Sequence, residues 1–163
     1  MDTKRFVIGT VAGGITMFAV GYLIWRLAFA GFFAANVGSA TGVARETPLI
    51  WASVLGHLAL AALVTLAVGS RAGSPTVAGG LKTGAIVGFL VWLGVDFIFY
   101  GSTNMSNLTA TIVDPLLELV RTGIAGAVIA AVGGSPSRAN TVGATESCDT
   151  ARSASAAPAR PPA

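Results

Sequence analysis

The stretch "PLIWASVLGHLALAALVTLAV", Pro48 to Val68, runs for 21 residues without an acidic residue, a lysine or an arginine. A helix of about 20 apolar residues is long enough to cross the hydrocarbon core of a bilayer, which is about 30 Å thick. Three further segments have the same character, so the sequence predicts four transmembrane helices. We place them at about residues 6–30, 48–68, 81–100 and 112–132.

The composition of the whole chain is typical of a membrane protein. Of its 163 residues, 53% are hydrophobic and only 10% are charged, whereas ordinary soluble domains are about a quarter charged. The polar residues that would cover a soluble core are therefore missing. We predict an all-α integral membrane protein whose residues 1–133 form a four-helix transmembrane bundle in a lipid bilayer.

The C-terminal segment, residues 134–163, has a different composition. It is rich in Ser, Ala, Pro and Gly and has almost no large apolar side chains. Such a segment cannot bury enough surface to offset the entropy lost on ordering, so we predict a disordered cytoplasmic tail. The single cysteine, Cys148, lies in this tail, and the sequence therefore predicts no disulfide framework and no thiolate metal site.

The basic residues predict the orientation of the spans, because Lys and Arg are enriched in cytoplasmic loops. Lys4 and Arg5 precede the first span, and Arg71 lies between the second and the third. We therefore predict that both termini are cytoplasmic and that loops 31–47 and 101–113 lie outside. No run of Lys or Arg forms a phosphate-binding stripe, so we do not expect nucleic acid as a partner.

Small residues at a regular spacing mark one face of the third span. Gly80, Gly84 and Gly88 follow one another at intervals of four residues. In lipid, small residues let helix backbones approach closely, and this close packing helps to hold helices together. We predict that these three glycines are helix-packing positions.

A second stretch, "GVDFIFYGSTNMSNLTATIVDPLLELVR" at residues 94–121, places ionisable groups where lipid-facing residues would be expected. At 1.5 Å per helical residue, Asp96 and Arg121 fall at matching depths near the predicted outer side. Charged groups inside a membrane are costly and usually pair within the bundle. We therefore expect an inward-facing Asp96–Arg121 ion pair, with Glu118 and His57 nearby.

The fourth span has two candidate starting points. The pair Asp114–Pro115 resembles an N-cap followed by a proline in the first helical turn. We interpret Asp114 as such a helix cap. A start of the fourth helix a few residues earlier remains an alternative.

The predicted polar cluster permits several kinds of chemistry. A histidine beside a carboxylate can relay protons, and two acids with a histidine can bind a divalent metal, but no metal-binding spacing is present. A serine hydrolase using Ser53 is a further, weaker alternative. We predict no catalytic residue, no metal and no cofactor. The cluster or pocket is predicted to contain His57, Asp96, Tyr100, Asn104, Glu118 and Arg121.

The stretches "GAIVGFLVWLGVDF" and "YGSTNMSNLTA", at residues 84–97 and 100–110, resemble a group of small, uncharacterised bacterial inner-membrane proteins with four predicted spans. In that group the third span commonly ends in a Tyr-Gly-Thr-like turn followed by an Asn-Leu element. Here Ser102 and Met105 replace the more usual Thr and Leu. The resemblance covers about residues 1–133 and implies a four-span fold in a bacterial inner membrane. It supplies no catalytic residue.

Two functions remain as predictions. The first is a non-enzymatic inner-membrane protein whose polar cluster, in the outer half, holds the bundle together and lines a pocket. The second is a small transporter or a protein that binds a small molecule. Four spans are few for a monomeric transporter, so transport would favour a homodimer with the glycine stripe as a candidate interface.

Overall fold

The computed structural model describes residues 2–43, 45–70 and 75–134. Four of its helices are long and apolar enough to cross a membrane. The protein is therefore an all-α four-helix transmembrane bundle, which confirms the predicted fold class. The predicted tail beyond residue 134, with Cys148, and the basic residue Arg71 lie outside the described residues. The helices are α1 (Thr3–Gly21, continued by a π-helical segment Tyr22–Ala28), α2 (Ala30–Ala35), α3 (Ile50–Gly69), α4 (Val77–Ser102) and α5 (Leu108–Gly133).

Helices α4 and α5 form the most extensively packed pair of the bundle. Helix α1 packs against both α3 and α5, whereas α3 touches α4 much less. The arrangement is therefore closed on three sides and looser between α3 and α4. The apolar core lies among α1, α3 and α5 and is made of Met17, Ala61, Val64, Val68, Ala125, Ile129 and Ala130.

The three glycines of α4 explain its close packing on α5. A Cβ atom at Gly80 would collide with the carbonyl of Gly126, and one at Gly84 would collide with the carbonyl of Thr122. At Gly88 the added atom would meet the side chain of Thr122. The stripe is thus a packing seam within one chain. The expectation that it serves a homodimer interface is wrong, because α5 already covers it.

Helix α5 begins earlier than the Asp114–Pro115 pair suggested. It starts at Leu108, where the side chain of Asn107 accepts a hydrogen bond of 3.0 Å from the backbone N–H of Ala110. Pro115 therefore lies inside the helix. The capping interpretation of Asp114 is wrong because the N-cap is Asn107 and Asp114 lies inside the helix, where its carboxylate is available for a tertiary contact.

The loops that follow α2 and α4 are joined by a short antiparallel contact, here called the loop bridge. Val37 pairs with Ser106, and the backbone N–H of Gly38 donates to the carbonyl of Met105 at 3.0 Å. A Cβ atom at Gly38 would collide with the backbone of Asn104, so the close approach requires glycine. The loop bridge closes one end of the bundle and ties the end of α2 to the start of α5.

The seam predicts a strong contrast between two glycines of the same helix. Gly84→Ala should destabilise the bundle by about 1–3 kcal/mol, because its Cβ would force α4 away from α5. Gly94 is the matched control, since an added Cβ there meets open space. Unfolding in mixed micelles by increasing SDS measures both variants. Equal stability of the two variants would contradict the seam.

Candidate functional site

The centre of the polar cluster is an ion pair within α5. The Nε atom of Arg121 lies 2.9 Å from Glu118 Oε2, and its Nη2 atom lies 2.8 Å from Oε1. Both residues are buried, with 6% and 2% of their surface exposed. This two-point contact satisfies both carboxylate oxygens and neutralises the guanidinium, which strongly lowers the cost of burying the two charges.

The same guanidinium group joins α5 to α3. Its Nη1 atom lies 3.0 Å from His57 Nε2, and His57 Nδ1 lies 2.6 Å from the carbonyl oxygen of Ser53. A carbonyl can only accept a hydrogen bond, so Nδ1 carries the proton and Nε2 accepts from Arg121. The contacts therefore define a neutral imidazole in a single tautomer.

Helix α1 reaches the cluster through Trp25, in its π-helical continuation. The indole ring lies 5.1 Å from the Cζ atom of Arg121, within the range of a cation–π contact. Its Nε1–H donates to Asp114 Oδ1 at 2.6 Å. Trp25 thus contacts both a cation and a carboxylate of α5, and Arg121 connects α1, α3 and α5.

The expected Asp96–Arg121 ion pair is wrong. The partner of Arg121 is Glu118, while Asp96 lies beside Asp114. Matching depth along the helix axis says nothing about rotation around that axis. Asp96 follows the seam residue Gly88 by eight positions, which turns it about 80° away from the seam at 3.6 residues per turn.

A cavity of about 650 Å³ lies between α3 and α4, and we call it the flank cavity. The polar cluster forms one wall, with Glu118 and Arg121 both contributing to it. Gly56 and Leu63 belong to its lining and are exposed, so the cavity opens on the side of the bundle that faces lipid. The remaining walls are mainly apolar, including Leu60, Val91, Trp92 and Val95.

A second cavity, of about 320 Å³, adjoins the loop bridge, and we call it the cap cavity. Its lining is more polar and contains two carboxyl groups and two hydroxyl groups. Trp25 and Asp114 line both cavities, so the two share a wall. The polar residues of the cap cavity are Asp96, Asp114, Ser106 and Thr111.

Two of the predicted site residues lie away from the cluster. Tyr100 is 41% exposed on α4 and lines neither cavity. Asn104 is exposed, and its contribution is a backbone carbonyl that accepts from the N–H of Ala40 at 3.0 Å in the loop bridge. The other four predicted residues lie in one region. His57 and Glu118 contact Arg121 directly. Asp96 joins this region through its neighbour Asp114.

Trp25 is the site residue that sequence reasoning missed. It lies near the end of the first span, where a tryptophan normally suggests only an interfacial anchor. No motif or spacing in the sequence connects Trp25 with Arg121, because the two residues lie in different spans. Among the described residues, no group of three or more His, Cys, Asp or Glu side chains is placed to hold a metal ion.

Comparisons of this chain with protein-family models, with curated proteins and with solved structures find no match.

The observed pairing predicts unequal costs for two neutralised carboxylates. Glu118→Gln should lower the free energy of unfolding by about 3 kcal/mol, because it leaves a buried guanidinium without its counter-charge. Asp96→Asn, the matched variant, should cost less than about 1 kcal/mol, since Asp96 has no ion-pair partner among the described residues. SDS unfolding measures both. A larger loss of stability for Asp96→Asn than for Glu118→Gln would contradict the observed pairing and support the expected Asp96–Arg121 pair.

Proposed function

We propose that this is a small, non-enzymatic protein of the bacterial inner membrane that binds a small amphipathic molecule in the flank cavity. The observation that carries the proposal is the cavity itself. Its volume of about 650 Å³ lies within the range of about 300–1,000 Å³ found for small-molecule pockets. It opens between two membrane-spanning helices, so an apolar ligand can enter from the lipid phase without crossing water.

The polar cluster has a structural part in this function. Arg121 fixes α1 and α3 to α5 by polar contacts, and α4 is fixed to α5 by the glycine seam. No side-chain hydrogen bond or ion pair among the described residues joins α3 to α4. The cluster therefore stabilises the bundle and at the same time leaves the flank cavity open beside it.

The environment of His57 supports a non-enzymatic function. Both of its ring nitrogens are engaged, one by the carbonyl of Ser53 and the other by Arg121. A general base needs a nitrogen that can reach the proton of a substrate or nucleophile. Because the nearby Ser53 contributes its carbonyl rather than its hydroxyl, the pair lacks the arrangement of a serine hydrolase.

A small transporter is the second candidate, and one observation favours it. The flank cavity and the cap cavity share Trp25 and Asp114 and follow one another toward the loop bridge. A movement of the indole would join them into one path. A homodimeric transporter would have to pair through a face other than the glycine seam, which α5 covers.

The proposed orientation, with both termini cytoplasmic, can be tested with the native cysteine. Cys148 should not react with a membrane-impermeant maleimide in intact spheroplasts and should react after permeabilisation, because positive loops stay inside. The control is Ser39→Cys in a Cys148→Ser background, in the loop after α2, which should react without permeabilisation. The reverse pattern would overturn the orientation.

Filling the flank cavity should abolish binding of an amphipathic probe. In a Trp51→Phe background, Trp25 and Trp92 are the remaining tryptophans, and both line the cavity. Dibromo-octadecanol in nanodiscs should quench their fluorescence. Bromine quenches only at short range, so the quenching reports occupancy of the cavity and should saturate when the cavity is filled. Ala59→Phe places a ring in the cavity and should weaken the apparent affinity at least about tenfold, a loss of about 1.4 kcal/mol.

Ala52→Phe on the same helix is the matched control for this experiment, because Ala52 is exposed but does not line the cavity. It should quench like the parent. Quenching that rises linearly without saturation, and equally in all three proteins, would mean simple partitioning into lipid and would overturn the proposed function.

A further inference from the structure

The side chains of the cap cavity offer hydrogen-bond acceptors and almost no donors. The hydroxyl of Thr111 is positioned to donate to the carbonyl of Asn107 at 2.9 Å, which leaves its oxygen to accept from Ser106 at 3.2 Å. Both hydroxyl protons are then used, and the hydroxyl oxygens keep free lone pairs. The indole N–H of Trp25 is already committed to Asp114. A molecule that enters this cavity must therefore bring its own donors.

One acceptor in this region is visibly unsatisfied. The Oδ2 atom of Asp96 is buried and has no hydrogen-bond partner among the described residues. Leaving a buried acceptor unpaired is destabilising, and more so when the group is charged. The neighbouring carboxyl group of Asp114 receives a single hydrogen bond from Trp25 and lies against Asp96. The indole N–H of Trp25 donates to Asp114 alone, so Asp96 Oδ2 is left without a donor.

The charges of the region are also unbalanced. Arg121, the buried cation of the cluster, is engaged at two points by Glu118. Within the described part of the chain, neither Asp96 nor Asp114 has a cationic group within ion-pair distance. Isolated charges are costly inside a membrane and are normally paired. A cationic donor would satisfy both the unpaired acceptors and the charge.

We propose that the cap cavity is a subsite for the protonated amine of an amphipathic ligand whose apolar chain occupies the flank cavity. The shared wall makes this geometry continuous, because Asp114 lines both cavities and Trp25 stands between them. The ammonium group donates to the carboxyl groups of Asp114 and Asp96, which both line the cap cavity, with the hydroxyl oxygens of Ser106 and Thr111 as further acceptors. This inference rests on the proposed function and names its ligand class.

The test compares two probes that differ only in the head group. Dibromo-octadecylamine and dibromo-octadecanol are titrated into the Trp51→Phe protein in nanodiscs of zwitterionic lipid, and quenching of Trp25 and Trp92 is recorded. The amine should bind at least about tenfold more tightly than the alcohol, since a buried charge pair commonly contributes more than 1.4 kcal/mol.

Asp96→Asn should reduce this preference to about threefold or less, and the loss should come mainly from weaker binding of the amine. Glu46→Gln is the matched control, because Glu46 is an exposed carboxylate that lines neither cavity; it should keep the full preference. Should Asp96→Asn fail to fold, Asp114→Asn gives the same comparison.

Saturable quenching by both probes with equal affinity would overturn the amine subsite and leave the proposed function standing. A preference that persists in both aspartate variants would overturn it as well, because the discrimination would then come from the lipid. Absence of saturable quenching by either probe would overturn the proposed function together with the subsite.

Discussion

The guanidinium group of Arg121 imposes the constraint on which the bundle depends. A positive charge inside a membrane needs counter-charge and hydrogen bonds from the protein itself, because lipid supplies neither. Glu118 provides the charge from the same helix, His57 provides an acceptor from α3, and Trp25 provides an aromatic face from α1. Three helices are thereby held at fixed rotations around one side chain.

Helix α5 is held to its neighbours by two different kinds of contact: a glycine seam against α4 and a polar side-chain contact with α3. The seam of Gly80, Gly84 and Gly88 brings the backbone of α4 close to α5. This close approach requires glycine at the three positions, because any larger side chain would collide with α5. The polar side holds α3 at the distance of an arginine and a histidine side chain. Helices α3 and α4 contact each other only sparsely, and the flank cavity lies between them.

The sequence predicted features that depend on local composition and failed where rotation or distant contacts decide. The apolar runs predicted four helices, and the spacing of Gly80, Gly84 and Gly88 predicted close packing. The Asp96–Arg121 pair was wrong because matching depth leaves the angle around the helix undetermined. Trp25 and the loop bridge were missed because they bring together residues from distant parts of the chain.

Buried polar groups without a hydrogen-bond partner occur at both cavities. Elsewhere in the helices, hydroxyl groups such as those of Thr16, Thr65 and Thr83 donate to carbonyls one turn earlier. Among the described residues, three buried polar side-chain atoms lack a partner: Thr10 Oγ1, Trp92 Nε1 and Asp96 Oδ2. Trp92 lines the flank cavity and Asp96 the cap cavity. Thr10 lines neither cavity. Departures from the rule that buried polar groups are hydrogen-bonded tend to occur at functional sites, which is consistent with the positions of the other two.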